Sequence, residues 1–452
     1  MKKVILIILM VVYGLGQLYA EEKELPYKDD PKIVEMLKKL KPGHAMLLPK
    51  VKILLNGEVY KNAFRGGPYS RDYTNKMAYA PDRQTALYCG GNHGSGRTND
   101  VWEYHLGSNT WNCLQPPIGR DHAKHKNMLM FMPRKWRKNP DHKMNEKEMK
   151  QFEAAKAFWN KYVILKDGHF ITKQNEAPLL VGHTWDTLVY DPNIGELIQG
   201  TGAHCAGNPI LHHKFTGMPI EEVKSKLGKN AKGVPYKTMW MFNPVKKQWQ
   251  QYASNDKLAR LRGMGATMCY IPDWKKTIFY VSAQNVSPNA MEMKTYDGVK
   301  DRWEVLKPNK GKGVWDLSLK LKIAPKSEQQ TAYSSKHKKM VAVLKGDAFA
   351  YDIVKNKWSK VCTDTRIFAH DAKTIFAYDS VGDVFLLAGP RQKVKFAIFD
   401  LKTGKWEIVT PPGAKMPRAP WSEGKGYYDP VHNVFVLHNS KGLWVYRHKE
   451  SK

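Results

Sequence analysis

The chain has 452 residues, with 42% hydrophobic and 11% aromatic residues and a formal net charge of +31 at neutral pH. This composition excludes an intrinsically disordered chain, and the length fits two or three average domains or one large repeat domain. The strong positive charge favours a polyanionic partner, which could be nucleic acid, an anionic membrane or an acidic polysaccharide.

The first 20 residues have the pattern of a signal peptide. Lys2 and Lys3 precede an apolar run from Val4 to Tyr13, which is too short to span a bilayer comfortably, and Ala20 offers a small residue before the cut. An uncleaved anchor is the alternative. Cleavage would leave a secreted or periplasmic chain of net charge +29 with no stable membrane span. Nucleic acid is then not an expected partner, and an anionic polysaccharide is favoured over a lysine-rich surface that only aids solubility.

Residues 21–43 predict a helical lead-in, because Ile33, Met36, Leu37 and Leu40 fall on one helical face. The next segment, residues 44–57, predicts an apolar strand with no partner strand close to it in sequence.

From Met77 onward the chain repeats one pattern: a strand, a turn, a second strand, a loop, a strand ending in Tyr or Phe, a tight turn and a Trp. Period-2 patterning and turn residues make each copy a four-stranded antiparallel unit. Six copies are found, at 77–111, 188–249, 268–303, 331–358, 376–406 and 425–449. The last copy ends before its Trp turn.

Residues 118–176, between the first and second copies, do not follow the strand pattern. From Arg120 to Gln174 there are fourteen basic and six acidic residues. The sequence predicts a helix, begun by a capping pair of Asn145 and Glu148. Its apolar face would hold Met149, Phe152, Ala155, Trp159 and Tyr162. This inserted helical basic segment is either a functional arm or a surface helix packed on the side of the fold.

The repeats resemble the kelch family. The resemblance rests on the Gly90-Gly91 doublet and on four aromatic pairs: Tyr104/Trp111, Tyr296/Trp303, Tyr351/Trp358 and Phe399/Trp406. It implies an all-β fold, a kelch-type β-propeller over residues 44–449 in which each copy is one blade. We expect six blades, and seven remain possible if the segment after Pro117 contains another. The strand in 44–57 would close the last blade by pairing with Leu443 to Arg447.

Histidine and arginine recur in the connections that a kelch-type propeller places on one face. The connections between second and third strands contain His93, His204 and Arg391, with His438 at a strand end. The connections that enter the blades contain Arg71, Tyr73, His183, Arg262, His370 and Arg418. We therefore expect these side chains to form a ring at one mouth of the axis, with His93 and His204 in equivalent loops of adjacent blades.

Such a ring fits cleavage of a uronate polymer by β-elimination, as in propeller polysaccharide lyases, which are similar at the level of fold. The reaction needs a group that neutralises the carboxylate, a base and an acid. Arg71, Tyr73, His93, His183 and His204 would be the catalytic set. Arg262, His370, Arg391 and Arg418 would bind the rest of the polymer.

Three other hypotheses remain open. Three neutral imidazoles, from His93, His183 and His204, would suit a divalent metal such as Zn²⁺, although no HxH or HExxH spacing is present. Cys205 beside His204 is suggestive of a copper-radical oxidase of the galactose oxidase kind. A non-catalytic glycan-binding or scaffold propeller is the third hypothesis. The sequence leaves the sugar, the linkage, the cofactor and the oligomeric state open.

The five cysteines show no CxxC spacing. Cys89 and Cys269 lie in apolar strand patterns and predict core thiols, with a Cys89–Cys113 bridge as an alternative for the first of them.

Overall fold

The protein is a six-bladed β-propeller. The computed structural model describes residues 25–55, 58–59, 67–69, 71, 73–91, 99–117, 142–182, 184–200, 203–204, 209–228, 239–251, 266–281, 293–308, 329–344, 346–367, 369, 374–390, 392–418 and 424–450. Each predicted copy forms one antiparallel sheet, so the six-bladed expectation is confirmed and the seven-bladed alternative is not.

The blades are numbered in chain order, with strands given from the innermost outward. Blade 1 consists of Ala78–Ala80, Thr85–Cys89, Val101–His105 and Thr110–Gln115. Blade 2 consists of Leu188–Asp191, Glu196–Gln199, Trp240–Asn243 and Gln248–Gln251. Blade 3 consists of Ala266–Ile271, Lys276–Val281, Met293–Asp297 and Arg302–Leu306. Blade 4 consists of Gln330–Ser334, Lys339–Leu344, Asp347–Asp352 and Lys357–Thr363. Blade 5 consists of Ile375–Asp379, Val384–Ala388, Phe396–Asp400 and Lys405–Ile408. Blade 6 consists of Lys425–Asp429, Val434–Asn439, Gly442–Tyr446 and Ala45–Leu47.

The innermost strands form a closed ring around the axis. Each contacts the innermost strands of the two neighbouring blades, and the strand Lys425–Asp429 of blade 6 contacts Ala78–Ala80 of blade 1 to complete the circle. Single parallel bridges between neighbouring blades, such as Asp186 to Thr267, reinforce this ring. The ring brings segments far apart in sequence to one axis.

The tight turns repeat from blade to blade. In the first hairpin of every blade, the last turn residue has a left-handed backbone with φ from 50° to 68°. These residues are Gln84, Gly195, Lys275, Lys338, Asp383 and Asn433. A left-handed residue at this place is typical of a four-residue hairpin loop built on a type I turn, which explains the frequent Asn, Gly and Asp.

The aromatic pairs that carry the repeat lie directly opposite each other on the third and fourth strands. Tyr104 faces Trp111, Tyr296 faces Trp303 and Tyr351 faces Trp358. Their ring centroids lie 5.0, 4.9 and 5.3 Å apart, respectively. All six of these side chains are buried, so the repeated Tyr and Trp are conditions for blade packing.

The N-terminal segment serves two blades. Ala45–Leu47 pairs antiparallel with Gly442–Tyr446 and completes blade 6 as its outermost strand. The expected pairing is therefore present, but it covers Ala45–Leu47 and not the whole segment to Leu55. Lys52–Leu55 pairs parallel with Thr110–Gln115 and extends blade 1, because the chain crosses to the next blade after Leu48.

The helices lie at Pro31–Lys39, Glu146–Tyr162, Pro209–Thr216 and Ile220–Leu227 in the described part of the chain. The first buries Ile33 and Leu37, while Met36 is partly buried and Leu40 is buried directly after the helix ends, so the predicted apolar face packs inward. The second begins at Asn145 with the predicted capping box to Glu148. No helix among the described residues is long and apolar enough to cross a membrane.

Two insertions join to form a small cap beside blades 1 and 2. Helix Glu146–Tyr162 and the hairpin of Val163–Lys166 and His169–Thr172 come from the connection between these blades, whereas the last two helices come from within blade 2. They share one apolar cluster, which includes Trp159, Phe170, Leu211 and Phe215. The predicted helix is therefore packed within this cap, and whether the insertion has a function stays open.

His212 and His213 both lie in the helix Pro209–Thr216. His212 is buried and accepts a hydrogen bond at Nδ1 from Trp159 Nε1 at 2.9 Å. Burial, together with the charge of Lys226, lowers the pKa of His212 to about 4. Cys89, Cys113 and Cys269 are buried free thiols, so the core interpretation is confirmed and no Cys89–Cys113 bridge forms.

Candidate functional site at the loop end of the axis

The two ends of the propeller differ in their connections. The tight turns within each blade, between strands one and two and between strands three and four, lie at one end, which we call the hairpin end. The longer connections leave from the opposite end, the loop end. The predicted ring of His and Arg belongs to connections of the loop end.

Much of this ring lies outside the described residues: His93, His183, Arg262, His370 and Arg391. For His204 the backbone is described, and it pairs with Leu180 in a short bridge that joins two connections of blade 2. The convergence of His93, His183 and His204 therefore stays a prediction.

Arg71 is buried between blade 1 and its entry loop, with 1% of its surface exposed. Its Nε donates to the carbonyl oxygen of Gly67 at 2.8 Å, and Nη1 donates to that of Gly90 at 2.6 Å. Nη2 forms an ion pair with Asp100. All three guanidinium nitrogens thus have a protein partner, so Arg71 holds the loop end of blade 1 together in this conformation.

Tyr73 lies next to the entry of blade 1 in a left-handed backbone conformation, with φ of 57°. Its carbonyl oxygen accepts a hydrogen bond from the amide of Trp185, which enters blade 2 with φ of 46°. Left-handed conformations are costly for aromatic residues and persist only where the surroundings impose them. The entries of blades 1 and 2 are therefore locked against each other at the mouth.

The Gly90-Gly91 doublet allows this close approach. Gly90 has φ of 89°, and a Cβ there would lie 2.5 Å from Thr184 Cγ2 and 2.8 Å from the carbonyl oxygen of Gly182. Gly91 donates to that same carbonyl at 3.1 Å. The doublet thus lets the second strand of blade 1 touch the entry of blade 2.

We expect Gly90→Ala to destabilise the protein by roughly 2–5 kcal/mol, because strain at positive φ and overpacking against blade 2 add together. Urea unfolding of both proteins measures this difference. Gly195→Ala is the matched control, since Gly195 has φ of 68° but its Cβ would meet only Tyr190 Oη at 3.7 Å. Equal losses for the two variants would show that the contact with blade 2 contributes nothing.

A lysine–carboxylate pair closes the axis near the loop end. Lys76 Nζ donates to Asp186 Oδ2 at 3.3 Å and to the carbonyl oxygen of Met268 at 2.6 Å. Asp186 Oδ2 also accepts from the amide and the hydroxyl of Thr331, both at 2.9 Å, and from the hydroxyl of Thr267. The five residues of this network belong to blades 1, 2, 3 and 4, so one lysine–carboxylate pair connects two thirds of the ring.

Asp186 is completely buried, whereas the Lys76 side chain is 17% exposed. Burial raises the pKa of Asp186 above its usual value, while Lys76 and the threonine hydrogen bonds oppose that rise. The exposed part of the pair is therefore the cation.

His438 does not reach the mouth as a free base. It lies buried between blades 6 and 1, where Trp111 Nε1 donates to its Nδ1 at 2.7 Å and the two rings stack. Burial, with a contribution from the positive charge of Lys425, holds the pKa of His438 well below its usual value. The ring is neutral and packs the blade interface.

Exposed cations surround the loop end of blades 5 and 6. We call this set the basic rim; its members are Lys393, Lys395, Arg418 and Lys441. Within residues 389–390, 392–395, 409–418 and 440–441, which carry the rim, no acidic residue occurs. Arg418 was predicted from the sequence, whereas the others were missed because isolated lysines in loops have no distinctive pattern.

One buried side chain holds two parts of the rim together. Asn439 has no exposed surface; its Nδ2 donates to the carbonyl oxygen of Pro417 at 2.8 Å, and its Oδ1 accepts from the amide of Lys441 at 2.8 Å. Arg418 follows Pro417 directly, so the backbones that carry Arg418 and Lys441 are fixed beside each other. Two cations are thus preorganised on a rigid support.

No known family model matches this chain, and no curated protein matches it either. Among the described residues, no group of three His, Cys, Asp or Glu side chains is placed to hold a metal ion. The fold and the site together define a six-bladed propeller with a closed axis and a basic rim at its loop end.

Proposed function

We propose that this protein is a secreted propeller that binds an anionic polysaccharide at its loop end, through the basic rim. The anchoring of Arg418 and Lys441 by Asn439 carries this proposal, because it presents two cations on a fixed support with no described acid in the same segments. A polymer with carboxylate or sulfate groups at regular spacing is the ligand that several fixed cations suit best.

The predicted leader sequence and the charge distribution support a glycan over nucleic acid. A chain exported from the cytoplasm would meet cell-surface or environmental polysaccharides.

We also infer that the repeats are degenerate kelch repeats. The Gly90-Gly91 doublet at the loop end of blade 1 and the buried Tyr/Trp pairs on third and fourth strands support this inference. The pairs recur in the register that the family resemblance implies.

Binding is favoured over catalysis by what the described residues do. Arg71 is engaged by Asp100 and two carbonyl oxygens, and His438 is buried and neutral. Elimination would have to rely on Tyr73, which is half-buried, and on His93, His183 and His204. Metal-dependent or copper-radical chemistry would also need these histidines, whose side chains lie outside the described part. A non-catalytic glycan-binding propeller is therefore our proposal.

We expect the Arg418→Ala, Lys441→Ala double variant to bind an acidic polysaccharide, such as alginate or polygalacturonate, roughly five- to tenfold more weakly than the original protein. The reason is the loss of two fixed cations. Affinity of the original protein should also fall as salt rises, through screening. Isothermal titration at low and high salt measures both effects.

The matched control is the Lys402→Ala, Lys405→Ala double variant, which removes two exposed lysines from the hairpin end and should bind normally. Salt-independent binding, or equal losses in the two double variants, would contradict the proposal. Incubation with the same polysaccharides should produce no rise in ultraviolet absorbance from unsaturated sugars. Such a rise would instead establish an elimination enzyme.

A further inference from the structure

Exposed valines occur at one repeated turn position of the hairpin end. Five of the ten exposed large hydrophobic side chains among the described residues occupy the second position of a four-residue turn. They are Val245, Val299, Val354, Val381 and Val431, which are 66%, 70%, 78%, 38% and 50% exposed. They belong to blades 2, 3, 4, 5 and 6 in order, so each of these blades presents one valine at the same end.

Turn formation does not require valine. Turns favour Gly, Asn, Asp, Ser and Pro for reasons of backbone geometry. In the first hairpin of blade 2 the same position is occupied by Asn193, whose amide donates to Asp191 Oδ1 at 2.9 Å. A polar residue thus fits this position, and the recurrence of an exposed apolar side chain calls for another cause.

The turns present these valines rigidly. Asn243 Oδ1 accepts from the amides of Val245 and Lys246 at 3.0 and 2.8 Å. Asp352 Oδ1 accepts from the amides of Val354 and Lys355 at 3.1 and 2.9 Å. In these two turns the side chain that begins the turn fixes both amides, and in the turn of Val299 the carboxylate of Asp297 accepts from the amide of Lys300 at 3.1 Å. These valines therefore project from preorganised loops.

A lysine follows the valine in three consecutive blades. We call these pairs the valine–lysine tips: Val245-Lys246, Val299-Lys300 and Val354-Lys355. All three lysines are exposed. Lys300 lies 3.9 Å from Asp297, a loose contact with its side chain 73% exposed. Each tip therefore offers an apolar group beside a cation.

We infer that the hairpin end docks on the surface of an anionic lipid bilayer, with the valines entering the interface and the lysines meeting the headgroups. A fluid lipid surface accommodates single apolar side chains that project from separate turns. A protein partner would need a contiguous apolar patch, and protein interfaces are depleted of lysine. Interfacial binding combines apolar insertion with attraction of basic residues to anionic lipids. This inference is independent of the proposed glycan site, because that site lies at the opposite end.

The test uses the chain from Glu21 onward, which keeps every described residue and lacks the apolar leader. Flotation with vesicles of phosphatidylglycerol and phosphatidylcholine should recover the protein, and vesicles of phosphatidylcholine alone should recover much less. The triple variant Val245→Asn, Val299→Asn, Val354→Asn should lose about tenfold in vesicle partitioning. Its thermal stability should stay unchanged, because Asn already fits this turn position in blade 2.

The matched control is the Val305→Thr, Ile408→Thr double variant, which removes exposed apolar groups from outermost strands. It should bind vesicles normally. The inference is overturned if the original protein fails to float, if it floats equally well with neutral vesicles, or if the triple variant floats like the original. Concentration-dependent self-association that the triple variant abolishes, without vesicle binding, would overturn it in favour of a protein contact.

Discussion

Replacing Lys76 with methionine should destabilise the folded protein by about 3–5 kcal/mol at neutral pH. The substitution keeps the length of the side chain but removes the charge that faces Asp186 at 3.3 Å. Asp186 would keep its hydrogen bonds from Thr267 and Thr331, yet a completely buried carboxylate would lack a counter-charge. A buried charge without its partner is among the costliest single changes in a folded protein.

The loss should depend on pH in a defined direction. Burial already raises the pKa of Asp186 above its unfolded value, and removal of Lys76 takes away the largest opposing influence. A carboxyl with a raised folded pKa costs stability when it is ionised and stops doing so when it is protonated. The difference between variant and original should therefore be largest near neutral pH and shrink as pH falls through the raised pKa.

Urea unfolding of Lys76→Met and of the original protein, from neutral pH down through the raised pKa of Asp186, measures the difference in stability. The control is the Lys76→Met, Asp186→Asn double variant, in which the pH-dependent part of the loss should vanish because the ionisable carboxyl is gone. A loss for Lys76→Met that is the same at every pH would contradict the assigned role of the pair.

Replacing Arg71 with methionine should also destabilise the protein by about 3–5 kcal/mol. Asp100 would lose a buried ion-pair partner, and the carbonyl oxygens of Gly67 and Gly90 would lose their donors. The side chain of Arg71 is 2% exposed and that of Asp100 is 1% exposed, so water cannot replace these contacts without opening the loop end of blade 1.

Arg71→Lys is the companion variant. The lysine retains a positive charge beside Asp100, so Arg71→Lys should lose less stability than Arg71→Met. It should still lose some, because an ammonium group cannot replace the planar guanidinium that donates to two carbonyl oxygens and a carboxylate at once. Thermal unfolding and polysaccharide titration of both variants separate two roles. If stability is unchanged and glycan binding disappears, Arg71 contacts the ligand as the sequence predicted. If stability falls as expected, its role is to hold the loop end together.

The sequence by itself predicted six blades, with a seventh left open, and it predicted that the N-terminal segment closes the last blade. Alternating apolar residues, turn residues and the Tyr/Trp pairs recur at each copy, because every blade must solve the same local packing problem. The capping box at Asn145 was also predictable, since both of its residues lie within four positions of each other. Local patterns of this kind require no knowledge of distant segments.

Only the tertiary structure decided what the charged residues do. The sequence predicted that Arg71 would bind a carboxylate group of the substrate. Its partners are instead Gly67, Gly90 and Asp100, which are brought to it by the folding of one loop against blade 1. Lys76 and Asp186 are 110 residues apart, and nothing in either local sequence links them.

The same holds for the surfaces that carry the proposals. Asn439 fixes Pro417 and Lys441 across 22 residues. The exposed valines form one set because every antiparallel blade sends the turns between strands one and two, and between strands three and four, to the same end. Polar and charged contacts depend on distance in space, burial and the orientation of a few atoms. The repeated apolar pattern encodes the blades, whereas the partners of polar side chains are set only when the ring closes and brings distant segments together.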